Sequence, residues 1–153
     1  MSISNFSING TSITPTLYKG KSRDFSFLID EPQQLGGQDL AANPVEYILA
    51  GYAGCLNVVI NLVAKEQGIT IDDLSINIKG DINVSKLLGM SSDGRAGFQS
   101  LNVSINFNTN VSEEKLKFLI DQVKQRCPVS DNLSQKTPIN YQINTAKKDK
   151  IYV

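Results

Sequence analysis

The chain has 153 residues, with 15 basic and 15 acidic side chains that cancel, and no histidine. That length suffices for one domain with its own core, read here as spanning residues 1–153. The balanced charge and the lack of a basic block argue against nucleic acid or an anionic membrane as a partner. The missing histidine removes the usual general base, the usual zinc ligand and every Ser-His or Cys-His relay, and two cysteines alone make a poor metal site. Met1–Ser7 lacks the charged and apolar regions of a secretion signal, and no apolar run approaches bilayer-spanning length. The expectation is a cytoplasmic protein without cofactor or metal, in which a lasting disulfide is improbable and a transient catalytic one is allowed.

In chain order, Phe6 and Ile8 alternate with polar residues and run into Asn9-Gly10, a hairpin-turn signal. Phe25, Phe27 and Ile29 mark a half-buried strand. Pro32 and Gly36-Gly37 then interrupt it. Asp30-Glu31-Pro32 is read as a turn rather than as acids presented to a site. Asn43 and Pro44 open a long helix as cap and first residue. Ile48, Tyr52, Cys55, Val59 and Leu62 recur along it, and Gly68 closes it. Its middle, Ala50-Gly51-Tyr52-Ala53-Gly54, is nearly bare of side chains. Each interior glycine costs about 1 kcal/mol against alanine, so close approach by another helix or by a substrate is expected. The helix is read as central and deeply packed.

Two long strands follow. One carries Leu74, Ile76, Ile78, Ile82 and Val84, with a bulge expected at Gly80. The other carries Leu101, Val103, Ile105 and Phe107. Gly89–Gly97 between them reads as a loop. Ser112 caps a second helix, Glu113 and Glu114 occupy its positive end, and Val111 with Leu116 has staple spacing. Leu116, Leu119, Val123 and Cys127 form its stripe, and Pro128 closes it. A last strand carries Ile139, Tyr141 and Ile143.

Cys55 and Cys127 therefore both lie on apolar stripes. From spacing alone they are either a redox pair or two core fillers, and free cysteine commonly fills cores. Tyr52, one turn before Cys55, reads as a core aromatic or as part of a pocket.

The element order, with Asn43-Pro44 leading to Cys55 and then Cys127-Pro128-Val129-Ser130, resembles the OsmC/Ohr family of thiol peroxidases. The Asp30-Glu31-Pro32 and Gly36-Gly37 segment is similar to one OsmC-like branch. The resemblance implies an α+β fold, built as an intertwined homodimer whose central helices are wrapped by antiparallel sheets. It implies reduction of small organic hydroperoxides, with Cys55 attacking, Cys127 resolving and a dithiol of the lipoyl type regenerating the pair. It also implies an arginine from the N-terminal strands, matched here by Arg23, and a carboxylate at the start of the central helix. This chain departs at the carboxylate. Val45 follows Asn43-Pro44 where the family's peroxidases have glutamate, and the acid is the next residue, Glu46. One residue turns a helical side chain by about 100°. Arg126 is a weaker candidate for the cation, and Arg95, in the loop, reads as a surface residue. The competing reading keeps the fold and makes the chain a binding protein for a small apolar ligand at the dimer interface. A thiol-based redox sensor is a third reading.

Overall fold

The computed structural model describes residues 3–145 and the backbone of 148–152. Contacts divide the chain into two compact units, Met1–Gly54 with Asp73–Phe107, and Cys55–Asp72 with Asn108–Val153.

In the first unit, β1 (Asn9–Ser12), β2 (Tyr18–Ser22) and β3 (Phe25–Ile29) form an antiparallel sheet in that order. Asn9 pairs with Lys21 and Gly10 with Gly20, so Asn9-Gly10 lies inside a strand rather than at the expected turn. The turn falls at Ile13–Leu17. There Thr14 Oγ1 accepts the Leu17 N–H at 2.9 Å, and the Ile13 N–H donates to the Leu17 carbonyl at 2.8 Å. Threonine side-chain turn chemistry thus replaces the asparagine–glycine signal. Phe6 and Ile8 are exposed and precede β1.

A short 3-10 turn, Gln33–Leu35, follows β3. It is organised by Asp30, which is fully buried. Its carboxylate accepts the N–H groups of Glu31 at 2.9 Å, Gln38 at 3.0 Å and Leu40 at 3.2 Å. Burial alone would raise this carboxyl's pKa. The hydrogen bonds from Leu40, Glu31, Gln38 and Thr16 outweigh it and hold the group below its ordinary range.

Helix α1 runs from Pro44 to Glu66 and contributes residues to both units. Its start is a reciprocal capping box. Asn43 Oδ1 accepts the Glu46 N–H at 2.9 Å, and Glu46 Oε2 accepts the Asn43 N–H at 2.8 Å. Its end is a Schellman motif. Ile69 N–H donates to Ala64 O at 2.8 Å and Gly68 N–H to Lys65 O at 3.2 Å, with Gly68 at φ +64°, where glycine carries no Cβ penalty. The buried residues are Leu56, Val59, Ile60, Val63 and Ala64, all in the second half. Ile48 and Leu62, expected on the stripe, are exposed. Gly51 and Gly54 are exposed as well, and a Cβ at either would meet no described atom within 4 Å. Among the described residues the expected close approach is therefore not made. Helix α1 is 23 residues long and holds an 18-residue window with a mean hydropathy of 1.7, so by length and composition alone it could cross a membrane. The expectation that no run approaches that length does not hold. Asn57 and Asn61 interrupt its apolar run, and the Asn61 side-chain amide donates to the Asn57 carbonyl at 2.8 Å.

Strands β4 (Asp72–Ile82) and β5 (Phe98–Asn108) pair with each other. Leu74, Ile76, Ile78 and Ile82 are half-buried while their neighbours face out, the period-two pattern expected. A Cβ at Gly80 would overlap the side chains of Leu101 and Phe98. The glycine serves close cross-strand approach. Val84 does not continue the strand. Asn83 caps a four-residue helix, α2 (Val84–Leu87), by accepting the Lys86 N–H.

In the second unit, α3 (Glu113–Arg126) is capped by Ser112 and buries Leu119 and Val123 completely. These join Leu56, Val59, Ile60, Val63, Ala64 and Ile69 among the unit's buried apolar residues. Pro128 does not end the helical region. It opens a second short helix, α4 (Pro128–Ser134). The strand expected to be last is shorter and is followed by another: β6 (Gln142–Thr145) holds Ile143 but not Ile139 or Tyr141, and it pairs with β7 (Lys148–Tyr152).

Candidate active site

Cys55 and Cys127 both belong to the second unit, and their sulfurs are 3.2 Å apart. A formed disulfide spans about 2.05 Å, so the two are free thiols in direct contact. Cys55 stands near the middle of α1, half-buried, while Cys127 is 1% exposed.

Cys127 occupies an unusual backbone position. It is at once the C-cap of α3 and the N-cap of α4, with φ −78° and ψ 109°. Its thiol donates to Cys55 Sγ and accepts the Ser130 N–H at 3.4 Å. Burial pushes the Cys127 thiol up, and the hydrogen bond and charge of Cys55 push it the same way. The amides of Ser130 and Val129, at the positive end of α4, oppose this without overcoming it.

Arg126 precedes Cys127 and forms a two-pronged ion pair with Glu66, at 2.5 Å from Nη1 and 2.9 Å from Nη2. Glu66 is held below, and Arg126 above, its ordinary pKa, in each case first by the shared hydrogen bonds. Sequence spacing could not reveal this pair, because its members lie 60 residues apart.

Arg23 and Glu46 belong to the first unit. Arg23 sits in the two-residue turn between β2 and β3 at φ +53°, with its guanidinium carbon 5.0 Å from the centroid of the Phe25 ring. A non-glycine residue there is strained. Glu46 turns its carboxylate back onto the helix start through the capping box. Val45 is half-buried beside it, and Tyr52 is half-buried further along α1. Arg95 is exposed in the β4–β5 connection. Among the described residues no group of three or more Cys, Asp and Glu side chains could hold a metal ion. A cleft of about 350 Å³ in the second unit is lined by Thr70, Asp72, Asn108, Thr109 and Asn110, and includes neither cysteine.

Fold and site together define an α+β protein with a contacting dithiol. Residues 36–142 match the family model described as OsmC-like protein. The chain belongs to the OsmC-like family. It is 35% identical over 102 residues, 67% of each chain, to the hydroperoxide reductase of Mycoplasma genitalium. It is 32% identical over 108 residues to the organic hydroperoxide resistance protein OhrB of Bacillus subtilis, covering 70% of this chain and 71% of that one. The crystal structure of an OsmC-like protein from Mycoplasma pneumoniae superposes with a TM-score of 0.73 at 25% identity, over 86% of this chain and 88% of the other. An organic hydroperoxide resistance protein from Elizabethkingia anophelis gives 0.62 at 27% identity, over 85% and 88%. The fold is the OsmC/Ohr fold.

Proposed function

We propose that the chain is a thiol-dependent reductase of small organic hydroperoxides, with Cys55 as the attacking sulfur and Cys127 as the resolving one. The 3.2 Å separation of the sulfurs carries this reading. The names of the Mycoplasma genitalium and Bacillus subtilis relatives agree with it. Attack needs a thiolate. Cys127 is buried and Cys55 is the more accessible of the two sulfurs, which supports Cys55 as the one that meets the substrate. Cys55 thiolate takes the terminal oxygen of the hydroperoxide. The O–O bond breaks, and the alkoxide leaves with a proton as the alcohol. Cys55 becomes a sulfenic acid. Cys127 then attacks that sulfur and water leaves, forming the Cys55–Cys127 disulfide. An external dithiol of the lipoyl type restores both thiols by exchange and leaves as its own disulfide.

Arg23 is proposed as the cation that stabilises the Cys55 thiolate, and its strained turn position supports a role beyond folding. Glu46 is proposed as the carboxylate that orients it, in addition to its capping role. The active form is proposed to be a homodimer. Exposed Ile48, Val58 and Leu62 on α1, with bare Gly51 and Gly54, present an apolar face that a second copy can cover. The test is consumption of an alkyl hydroperoxide in the presence of a dithiol, which Cys55→Ser abolishes. Wild-type protein whose thiols survive equimolar hydroperoxide would overturn the proposal.

A second reading, a carrier of a small apolar ligand on the same fold, is favoured by one observation. Val45 stands where the family's peroxidases carry glutamate, and the adjacent Glu46 is engaged in the helix cap. Cysteines inert to mild alkylation, with an apolar ligand that co-purifies, would select it.

A further inference from the structure

The Glu66–Arg126 pair lies outside the chemistry described above, yet its placement is not that of an ordinary surface ion pair. Glu66 is the last residue of α1, the helix that carries Cys55. A carboxylate there faces the negative end of the helix dipole, an unfavourable position unless a cation meets it. The cation is Arg126, the last residue of α3 and the chain neighbour of Cys127. Cys55 and Glu66 are separated by eleven residues of helix, which at 1.5 Å per residue is about 16 Å. The end of α3 is therefore fastened to α1 at two well-separated points, by sulfur contact at one and by two parallel N–H···O bonds at the other. A two-pronged guanidinium–carboxylate contact fixes direction as well as distance. Leu119 and Val123 seat the body of α3 in the core, and the ion pair adds a directional contact at its last residue, next to Cys127. Both side chains are partly exposed, at 36% and 48%, so the pair contributes little to stability.

We propose that Glu66 and Arg126 are positioning residues that hold Cys127 in line with Cys55 for disulfide closure. This rests on the two-thiol reading of the site, but not on the identity of the oxidant. In closure with oxidised glutathione, Cys55 thiolate attacks one glutathione sulfur, the glutathione disulfide breaks, and one glutathione thiolate leaves. Cys127 thiolate then attacks Cys55 sulfur and expels the second. The protein loses two electrons and two protons, and two glutathione molecules gain them. The pair raises the effective concentration of Cys127 at the second step without changing the first.

The experiment equilibrates wild type, Glu66→Gln, Arg126→Gln and the charge-exchanged double variant E66R/R126E in glutathione redox buffers, and measures the fraction of Cys55–Cys127 disulfide by alkylation and mass spectrometry. Each single variant is expected to lower the effective concentration about three- to tenfold, tenfold being about 30 mV, with thermal midpoints within a few degrees of wild type. The double variant is expected to recover most of the loss. A merely structural pair would shift the midpoint and leave the potential where it was. Unchanged equilibria in both single variants, or a loss the double variant does not recover, would overturn the proposal. Failure of the wild type to consume hydroperoxide would sink the reductase reading and leave this equilibrium to be judged by its own numbers.

Discussion

Replacing Cys127 separates its two roles, since its sulfur both faces Cys55 and caps α4. In Cys127→Ser the hydroxyl keeps both partners, donating toward Cys55 Sγ and accepting from the Ser130 N–H. An unpaired buried hydroxyl costs about 1–3 kcal/mol, but this one is paired at both ends. Serine is moreover a good N-cap, worth about 1 kcal/mol over alanine. The net change is expected within about 1 kcal/mol of wild type, or about 2–4 °C in midpoint for a chain of this size. In Cys127→Ala the Ser130 N–H loses its acceptor and the site is left partly empty, so this variant is expected about 1 kcal/mol below the serine variant. Both variants lose the resolving thiol. Under excess alkyl hydroperoxide, Cys55 is expected to pass from sulfenic to sulfinic acid, whereas wild type is protected by closure. Thermal unfolding by circular dichroism reads the first effect and intact mass reads the second. A serine variant less stable than the alanine variant would refute the capping argument. A Cys55 that resists overoxidation in both would refute the resolving role.

Asp30 has a folded-state pKa below its unfolded value, so its contribution to stability is present above the ordinary carboxylate range and is lost as pH falls through the folded pKa. Wild type is expected to loosen at residues 31–40 below about pH 4. Asp30→Asn is expected to show that loosening already at neutral pH, and hydrogen exchange of the Gln38 and Leu40 amides checks both; equal exchange in the two proteins at pH 7 would contradict it. Asn43→Ala is expected to lower stability by about 1 kcal/mol through loss of the cap, while Glu46→Gln retains the box and costs less, as urea unfolding would report. Arg23→Met is expected to slow oxidation of Cys55 by roughly tenfold, about 1.4 kcal/mol of lost charge stabilisation in the transition state, and Arg95→Met to leave it unchanged; stopped-flow oxidation with an alkyl hydroperoxide distinguishes them.

The parts of the fold legible in the sequence are those set by local chemistry. Asn43, Gly68 and Ser112 act at the helix ends where their residue types place them, because a cap is decided within four residues. Leu119, Val123 and Cys127 are buried as their spacing requires, since α3 has one apolar stripe. Helix α1 is apolar on most sides, so spacing could not select the buried face, and Ile48 and Leu62 proved exposed. The four-residue α2 and seven-residue α4 are too short to show a helical period. Asn9-Gly10 carried a strong turn signal that β1–β2 register overrode. At the site, the cysteine pair was suggested by motif and brought together by the fold, 72 residues apart in sequence. The Glu66–Arg126 pair carried no motif at all. A long-range side-chain contact between two helix ends leaves no periodic trace.

The direct measurement is the mass and peptide map of wild-type protein treated with one equivalent of an alkyl hydroperoxide. The account predicts loss of two hydrogens, with Cys55 and Cys127 joined in one chain and both protected from alkylation. Two alkylated cysteines in an unchanged protein, or a disulfide between separate chains, would contradict it.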